Sequence, residues 1–342
     1  FKTPVKYTLL FIFSFGLSYP VEAQPKGLTD KELAEYWYAR GQTEKALGIA
    51  LKNWENFQTY GSGIDYAVML WKSGRRQSSV KVFNQVIKGH PSSWDADIIL
   101  ADFYKQQQNF VAAEKVLKGL YDRMPNDMMA VKSYAGILLA VKKPSDAVAI
   151  LAGFTPIAKD EFNYYAIYAA ANFEAQQWET ALASFQKLYT MRPDMLEFQY
   201  SAGKCFSKLK RWDEAKALYT ELQSQFPEDG EPWKQMGLLE YERENFDRAV
   251  EELTIAKGKF ESSGNEKGTN DSAYLIDEVA WIHAKSFMGK GQFEEACPRL
   301  DTLRNRNGML RYGFDAAICY REAKQFDMAT SVFSDMVEKF PE

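Results

Sequence analysis

The side chains that carry most acid–base, nucleophilic and metal chemistry are scarce in this sequence. It holds two histidines, His90 and His283, and three cysteines, Cys205, Cys297 and Cys319. None of them stands at a spacing that builds a site: GxSxG, a phosphate-binding P-loop, HExxH and CxxC are all absent. Carboxylates are paired at Glu251-Glu252 and Glu294-Glu295. Both pairs fall on predicted second helices, where they read as solvated faces or as helix N-terminal charges favoured by the dipole. His90 precedes a proline and reads as a turn residue. His283 reads as a core or interface histidine. The expectation is therefore no enzyme, no cofactor and no metal.

Composition narrows the class further. The 342 residues are 46% hydrophobic and 26% charged, which describes a globular chain rather than a disordered one. The net charge is −4 and there is no basic block, so nucleic acid and anionic membrane surfaces are not expected partners. Aromatic residues make up 15%, a share that needs an explanation.

The explanation is a repeat. The stretch Arg211–Pro227 reads as one helix, with Trp212 closing the turn before it, Asp213 placed to cap it and Pro227 ending it. Stepping from Ala215 by 34 residues gives Ala181, Ala147, Ala113 and Ser79 backward and Ala249 forward. Shorter or longer steps add Ala46, Ala296 and Ala329, so nine positions in register carry a small side chain. A second small position lies twelve residues earlier, at Ala67, Ala101, Ala135, Ala169, Gly203, Gly237, Ala284 and Ala317. Small residues at both places let two helices of a hairpin approach closely. Three residues before the landmark stands an aromatic in six units: Phe110, Trp178, Trp212, Phe246, Phe293 and Phe326. Four residues after it a large apolar residue recurs, from Phe83 through Tyr219 to Phe333, and proline ends several units. The fourth unit is irregular, with Pro144 in the aromatic column and Pro156 in its exit. Between units seven and eight, the polar stretch 261–273 reads as an inserted loop, with room for longer helices beside it.

This pattern resembles the tetratricopeptide repeat (TPR) family, whose period is about 34 residues and whose units are helix–turn–helix. The resemblance covers roughly residues 27–342 and implies an all-α, right-handed α-solenoid of about nine units. It also implies that the first helix of each unit lines a concave inner face, where protein or peptide partners bind. Carrying the inner positions over residue by residue gives Trp71, Lys132, Phe173, Tyr200, Lys204, Lys234, Tyr241, Trp281, Lys285, Arg311, Phe314 and Arg321. Aromatic faces mixed with cations suit a segment with apolar and acidic side chains. The chaperone-type carboxylate clamp is absent, because no unit has Asn at the ninth position.

The two ends carry expectations of another kind. Lys2 and Lys6 flank an apolar run from Tyr7 to Tyr19, broken by Pro20 and followed by Val21-Glu22-Ala23. This is the layout of a secretory signal peptide over residues 1–23, with the solenoid over 24–342, and the run is shorter than the roughly 20 residues that span a bilayer. The chain starts with Phe1 rather than Met, and it closes a unit at Phe340-Pro341-Glu342 without a polar capping helix, which suggests a continuation. Export would place the protein in the periplasm or cell envelope, with membrane contact only through the leader or a partner. Cys297 and Cys319 then either bond across adjacent repeats or stay as buried thiols. The function expected is a scaffold or assembly factor for other envelope proteins. The alternative is the repeat part of an exopolysaccharide or other envelope export machine, with sugar rings on the same aromatics.

Overall fold

The computed structural model describes residues 27–158, 161–307 and 309–340. The expected leader over 1–23 lies outside them. The described residues are helical throughout, with no strand among them. Nineteen helices are defined: α1 Asp30–Ala39, α2 Thr43–Phe57, α3 Tyr60–Lys72, α4 Arg76–Gly89, α5 Asp95–Gln106, α6 Phe110–Arg123, α7 Met128–Ala140, α8 Pro144–Ala152, α9 Thr155–Ala158, α10 Phe162–Glu174, α11 Trp178–Met191, α12 Leu196–Lys208, α13 Trp212–Gln225, α14 Gly230–Glu242, α15 Phe246–Ser262, α16 Glu266–Gly289, α17 Phe293–Asn307, α18 Leu310–Glu322 and α19 Phe326–Lys339. They form nine helix–turn–helix hairpins, with the single turn α9 added after the fourth. The chain divides into two compact bodies at Ala130/Val131. In the first, each of α1 to α6 packs on the next; in the second, α10 to α19 do the same.

The small columns sit where the helices cross. Ala46, Ser79, Ala113, Ala147, Ala181, Ala215, Ala249, Ala296 and Ala329 are all buried. So are their partners twelve residues earlier, from Ala67 to Ala317. In the one unit with a hydroxyl at the landmark, Ser79 Oγ donates to the Ala67 carbonyl at 2.6 Å and joins the two columns directly. Where the earlier position is glycine, the reason is room: a Cβ on Gly203 would stand 2.5 Å from the Tyr219 ring, and one on Gly237 2.7 Å from Leu253. The residue four after the landmark is buried in eight units, including Phe83, Phe185, Tyr219 and Leu300.

Every first helix ends in the same way. Five residues before each landmark the backbone turns left-handed: Gly41, Gly74, Gln108, Lys142, Gln176, Lys210, Glu244, Gly291 and Lys324 all have φ between 59° and 81°. Each makes the short bond of a Schellman motif, and the next residue makes the long one. In the first hairpin these are Gly41 N–H to Tyr38 O and Gln42 N–H to Trp37 O; in the sixth, Lys210 to Ser207 and Arg211 to Phe206. That second residue is also the N-cap of the following helix, so a two-residue link reverses the chain. The aromatic column is the first residue of the second helix at α6, α11, α13, α15, α17 and α19. Asp213 lies inside the first turn of α13, and the N-cap there is Arg211. Pro144 is tolerated because it opens α8, where its missing N–H would have no partner.

The polar stretch 261–273 is helix on both sides of a tight turn. α15 runs to Ser262, Gly264 takes φ +69°, and Asn265 caps α16 by accepting the Gly268 N–H at 3.0 Å. The extensions hold because Phe260 fits between two glycines. A Cβ on Gly230 would meet it at 2.9 Å and one on Gly268 at 2.6 Å. Composition suggested a loop; this fit of a ring between glycines makes the segment the longest helical pair of the chain.

Cys297 of α17 and Cys319 of α18 are disulfide-bonded, with their Cα atoms 5.5 Å apart. Cys205 is free and buried, and burial pushes its thiol up to about 12. No helix of the described residues is long and apolar enough to cross a membrane.

Candidate functional site

The first helices of the second body present the expected inner-face residues, and two groups of them come together. The first spans α12 and α14. The Tyr200 hydroxyl donates to Asp229 at 3.3 Å, and Lys234 pairs with Glu231 at 3.1 Å. Burial and then the nearby Asp229 carboxylate push the Tyr200 hydroxyl well above its usual range. Lys204, one turn along from Tyr200, has no carboxylate within ion-pair distance among the described residues. The surrounding walls desolvate its ammonium and lower its pKa; Glu231 opposes this and Lys234 adds to it. Lys204 is exposed, so an anionic side chain can reach it directly and gains by pairing with it.

The second group spans α16 and α18. The Trp281 indole N–H donates to Asp315 at 2.7 Å, and Lys285 reaches the other oxygen of the same carboxylate at 2.7 Å. Arg311 bonds Glu278 at 2.5 Å and the Tyr312 hydroxyl at 2.7 Å, and its guanidinium lies 4.7 Å from the Trp281 ring centre. Those hydrogen bonds raise its pKa, that to Tyr312 first. The face of Trp281 is thus already occupied.

The remaining expected residues stand apart. Lys132 pairs with Glu161 at 2.9 Å, and Arg321 with its neighbour Glu322 at 2.8 Å. Phe173 packs between Trp178 and Phe185 as core, and Tyr241 lies 6.1 Å from Phe246. Phe314 is exposed and lies beside Phe333 of α19, at 6.4 Å between ring centres. Trp71, in the first body, stacks on Phe103 at 4.7 Å.

The inner-face cations are therefore mostly neutralised by acids of the same or an adjacent hairpin. Sequence reasoning named the cations and missed Glu161, Asp229, Glu231, Glu278 and Asp315. Five of the bonds to these acids span 29–34 residues, close to one period. A search for opposite charges about one repeat apart would have found Glu161, Glu278 and Asp315, but not Asp229, which takes the Tyr200 hydroxyl, nor Glu231, which pairs within its own helix. An open depression of about 600 Å³ lies at the turn between α14 and α15. Its buried Glu240 is already held by Asn245 at 2.6 Å and Arg243 at 3.4 Å. No group of His, Cys, Asp and Glu that could hold a metal occurs among the described residues.

Repeats of stacked hairpins with this register define a class, and sequence comparison gives it a name. Two tetratricopeptide-repeat family models match the chain, one over residues 67–128 and one over 172–239. Over these residues the chain carries tetratricopeptide repeats. No curated protein matches it. Among solved structures it is similar to a tetratricopeptide repeat protein from Parabacteroides merdae, at 12% identity and TM-score 0.44 over 72% of this chain and 97% of that one. It is also similar to MamA, at 19% identity and TM-score 0.43 over 50% and 93%. A third is YrrB, described as a TPR protein with an unusual peptide-binding site, at 14% and 0.44 over 56% and 97%. At these identities and scores they carry nothing about what this chain binds.

Proposed function

We propose that this protein is a non-catalytic scaffold or assembly factor. It holds a segment of a partner protein along the first helices α12 to α18. The observation that carries the reading is Lys204: an exposed ammonium with no ion-pair partner among the described residues, on a face where the other expected cations of this body are paired. Half-exposed Tyr200 and Tyr241 on neighbouring helices offer contact area beside it. An extended or helical segment with an acidic side chain between apolar ones fits this arrangement. Sugar rings fit less well, because stacking needs open aromatic faces. Trp281 has its face taken by Arg311 and Trp71 by Phe103.

The protein acts outside the cytoplasm, in the periplasm or cell envelope. Support comes from the apolar run at residues 7–19 and from the Cys297–Cys319 disulfide, since such bonds persist in oxidising compartments. The test uses tagged protein as bait in an envelope extract. Wild type should recover a defined partner, and Lys204→Glu and Tyr241→Ala should each lose most of it while keeping the wild-type circular dichroism. Undiminished recovery with both variants would refute the inner-face mode.

A further inference from the structure

Helix α12 presents two opposite charges on one face, and neither is neutralised. One is Lys204; the other is Glu197, seven residues earlier. Both are exposed, and neither has an ion-pair partner among the described residues. Seven residues fall just short of two turns, so the two side chains leave the helix within about 20° of each other and about 10 Å apart along its axis. Arg192 lies close enough to feel Glu197, but its guanidinium donates to both oxygens of Asp194, at 2.9 and 2.7 Å. Tyr200 lies half-buried between the two charges, with its hydroxyl on Asp229.

Helix α16 shows what satisfies such a pair. Its Glu278 and Lys285 hold the equivalent positions, also seven residues apart, and α18 neutralises both. Arg311 donates to Glu278 at 2.5 Å, and Lys285 donates to Asp315 at 2.7 Å. A parallel helix with a base, and an acid one turn later, thus serves the pair from end to end. Helix α14 cannot do the same for α12. It carries Glu231 and Gln235 where α18 carries Arg311 and Asp315, and these two bond each other at 2.6 Å. The missing base and acid have to come from the groove side.

We propose that the partner segment held on the inner face is a helix with a basic side chain followed, one or two turns later, by an acidic one, lying along α12 with its base on Glu197 and its acid on Lys204. Residues four or seven apart share a helix face, so both charges can point at α12 together. The proposal rests on the inner-face reading and adds to it a second charge and a direction. A segment with an acid alone gains at Lys204 but is opposed by Glu197, about one Debye length away. A segment laid the other way sets like charges together at both ends, so the pair selects orientation as well as partner.

The test selects random 16-residue peptides displayed on phage against the purified protein. The consensus peptide is then synthesised, and its binding is followed by fluorescence anisotropy with wild type, Glu197→Gln and Lys204→Gln. Both positions are exposed, so both variants should keep the wild-type circular dichroism. The expected consensus has a base four or seven residues before an acid, and each variant should weaken binding about two- to fivefold. Replacing the peptide's base by Ala should cost nothing further in Glu197→Gln, and replacing its acid nothing further in Lys204→Gln. An acid that couples to Lys204 without a base that couples to Glu197 overturns the proposal and leaves inner-face binding standing. So does a consensus with the acid first. No consensus, or binding indifferent to Lys204→Gln, overturns both.

Discussion

The nine left-handed turns allow a measurement of backbone strain with little else mixed in. Three are occupied by glycine, and a Cβ on Gly41, Gly74 or Gly291 would meet nothing within 4 Å. Replacing Gly74 by Ala therefore adds no clash and removes no contact; it only forces an L-residue to φ near +81°. That costs roughly 1–2 kcal/mol in the left-handed region. The more restricted unfolded chain returns roughly 0.4–1 kcal/mol. The net expectation is about 0.5–1 kcal/mol of destabilisation. The reverse change, Lys210→Gly, should stabilise by a similar amount, since Lys210 already sits at φ +59°. Three changes at Gly41, Gly74 and Gly291 are far apart in sequence and should add, to about 1.5–3 kcal/mol. Urea unfolding followed by circular dichroism reads the totals. Hydrogen exchange at the Arg75 amide, which bonds Leu70 O at 2.9 Å, reads the turn itself. A neutral Gly74→Ala, or a Lys210→Gly that destabilises as a glycine does inside a helix, would refute the strain argument.

Other outcomes follow from single contacts. Gly203→Ala drives a Cβ towards the Tyr219 ring and should cost roughly 1–3 kcal/mol, less in a Tyr219→Leu background, as a double-mutant cycle in urea will show. Replacing Cys297 and Cys319 together by Ala opens a 22-residue loop and should lower stability by about 3 kcal/mol, the same shift that reductant gives the wild type. His283 is held below its usual pKa, first by burial and then by Arg299 and Lys290, against the pull of Asp247. The unfolded chain then binds the proton more readily. The resulting stability is complete above about pH 6.5 and is lost as pH falls towards the folded value. An NMR titration of the two histidines checks the direction, and a His283 pKa above that of an unfolded peptide would contradict it.

The fold was legible because its causes recur. A small residue that must let two helices cross leaves the same mark nine times, and each mark proved to be a buried crossing. The turns were less visible. Only Gly41, Gly74 and Gly291 announce a left-handed residue, while Gln108, Lys142, Gln176, Lys210, Glu244 and Lys324 conceal one. The column does exclude β-branched residues, which tolerate that region least. The stretch 261–273 misled for a physical reason. Gly264 and Gly268 look like loop residues, yet Gly264 ends one helix and Gly268 makes room for Phe260 beside the next. The candidate site was half legible. Position within the repeat named Lys234, Lys285 and Arg311, but not the carboxylates that occupy them, because those come from neighbouring positions or from an adjacent unit. Lys204 stood among the other cations in the sequence, and only geometry sets it apart.

The disulfide has a mechanical meaning as well. Each hairpin grips only its neighbours, so a chain of this kind pulled from its ends yields one hairpin after another. The Cys297–Cys319 bond crosses from α17 to α18 and bridges 22 residues. At roughly 3.4 Å per extended residue, it withholds about 75 Å of slack that would otherwise pay out under load. A protein that holds partners under tension would stretch less in this segment. In reducing conditions the same segment would lengthen by that distance, a step wide enough to resolve in a force–extension trace.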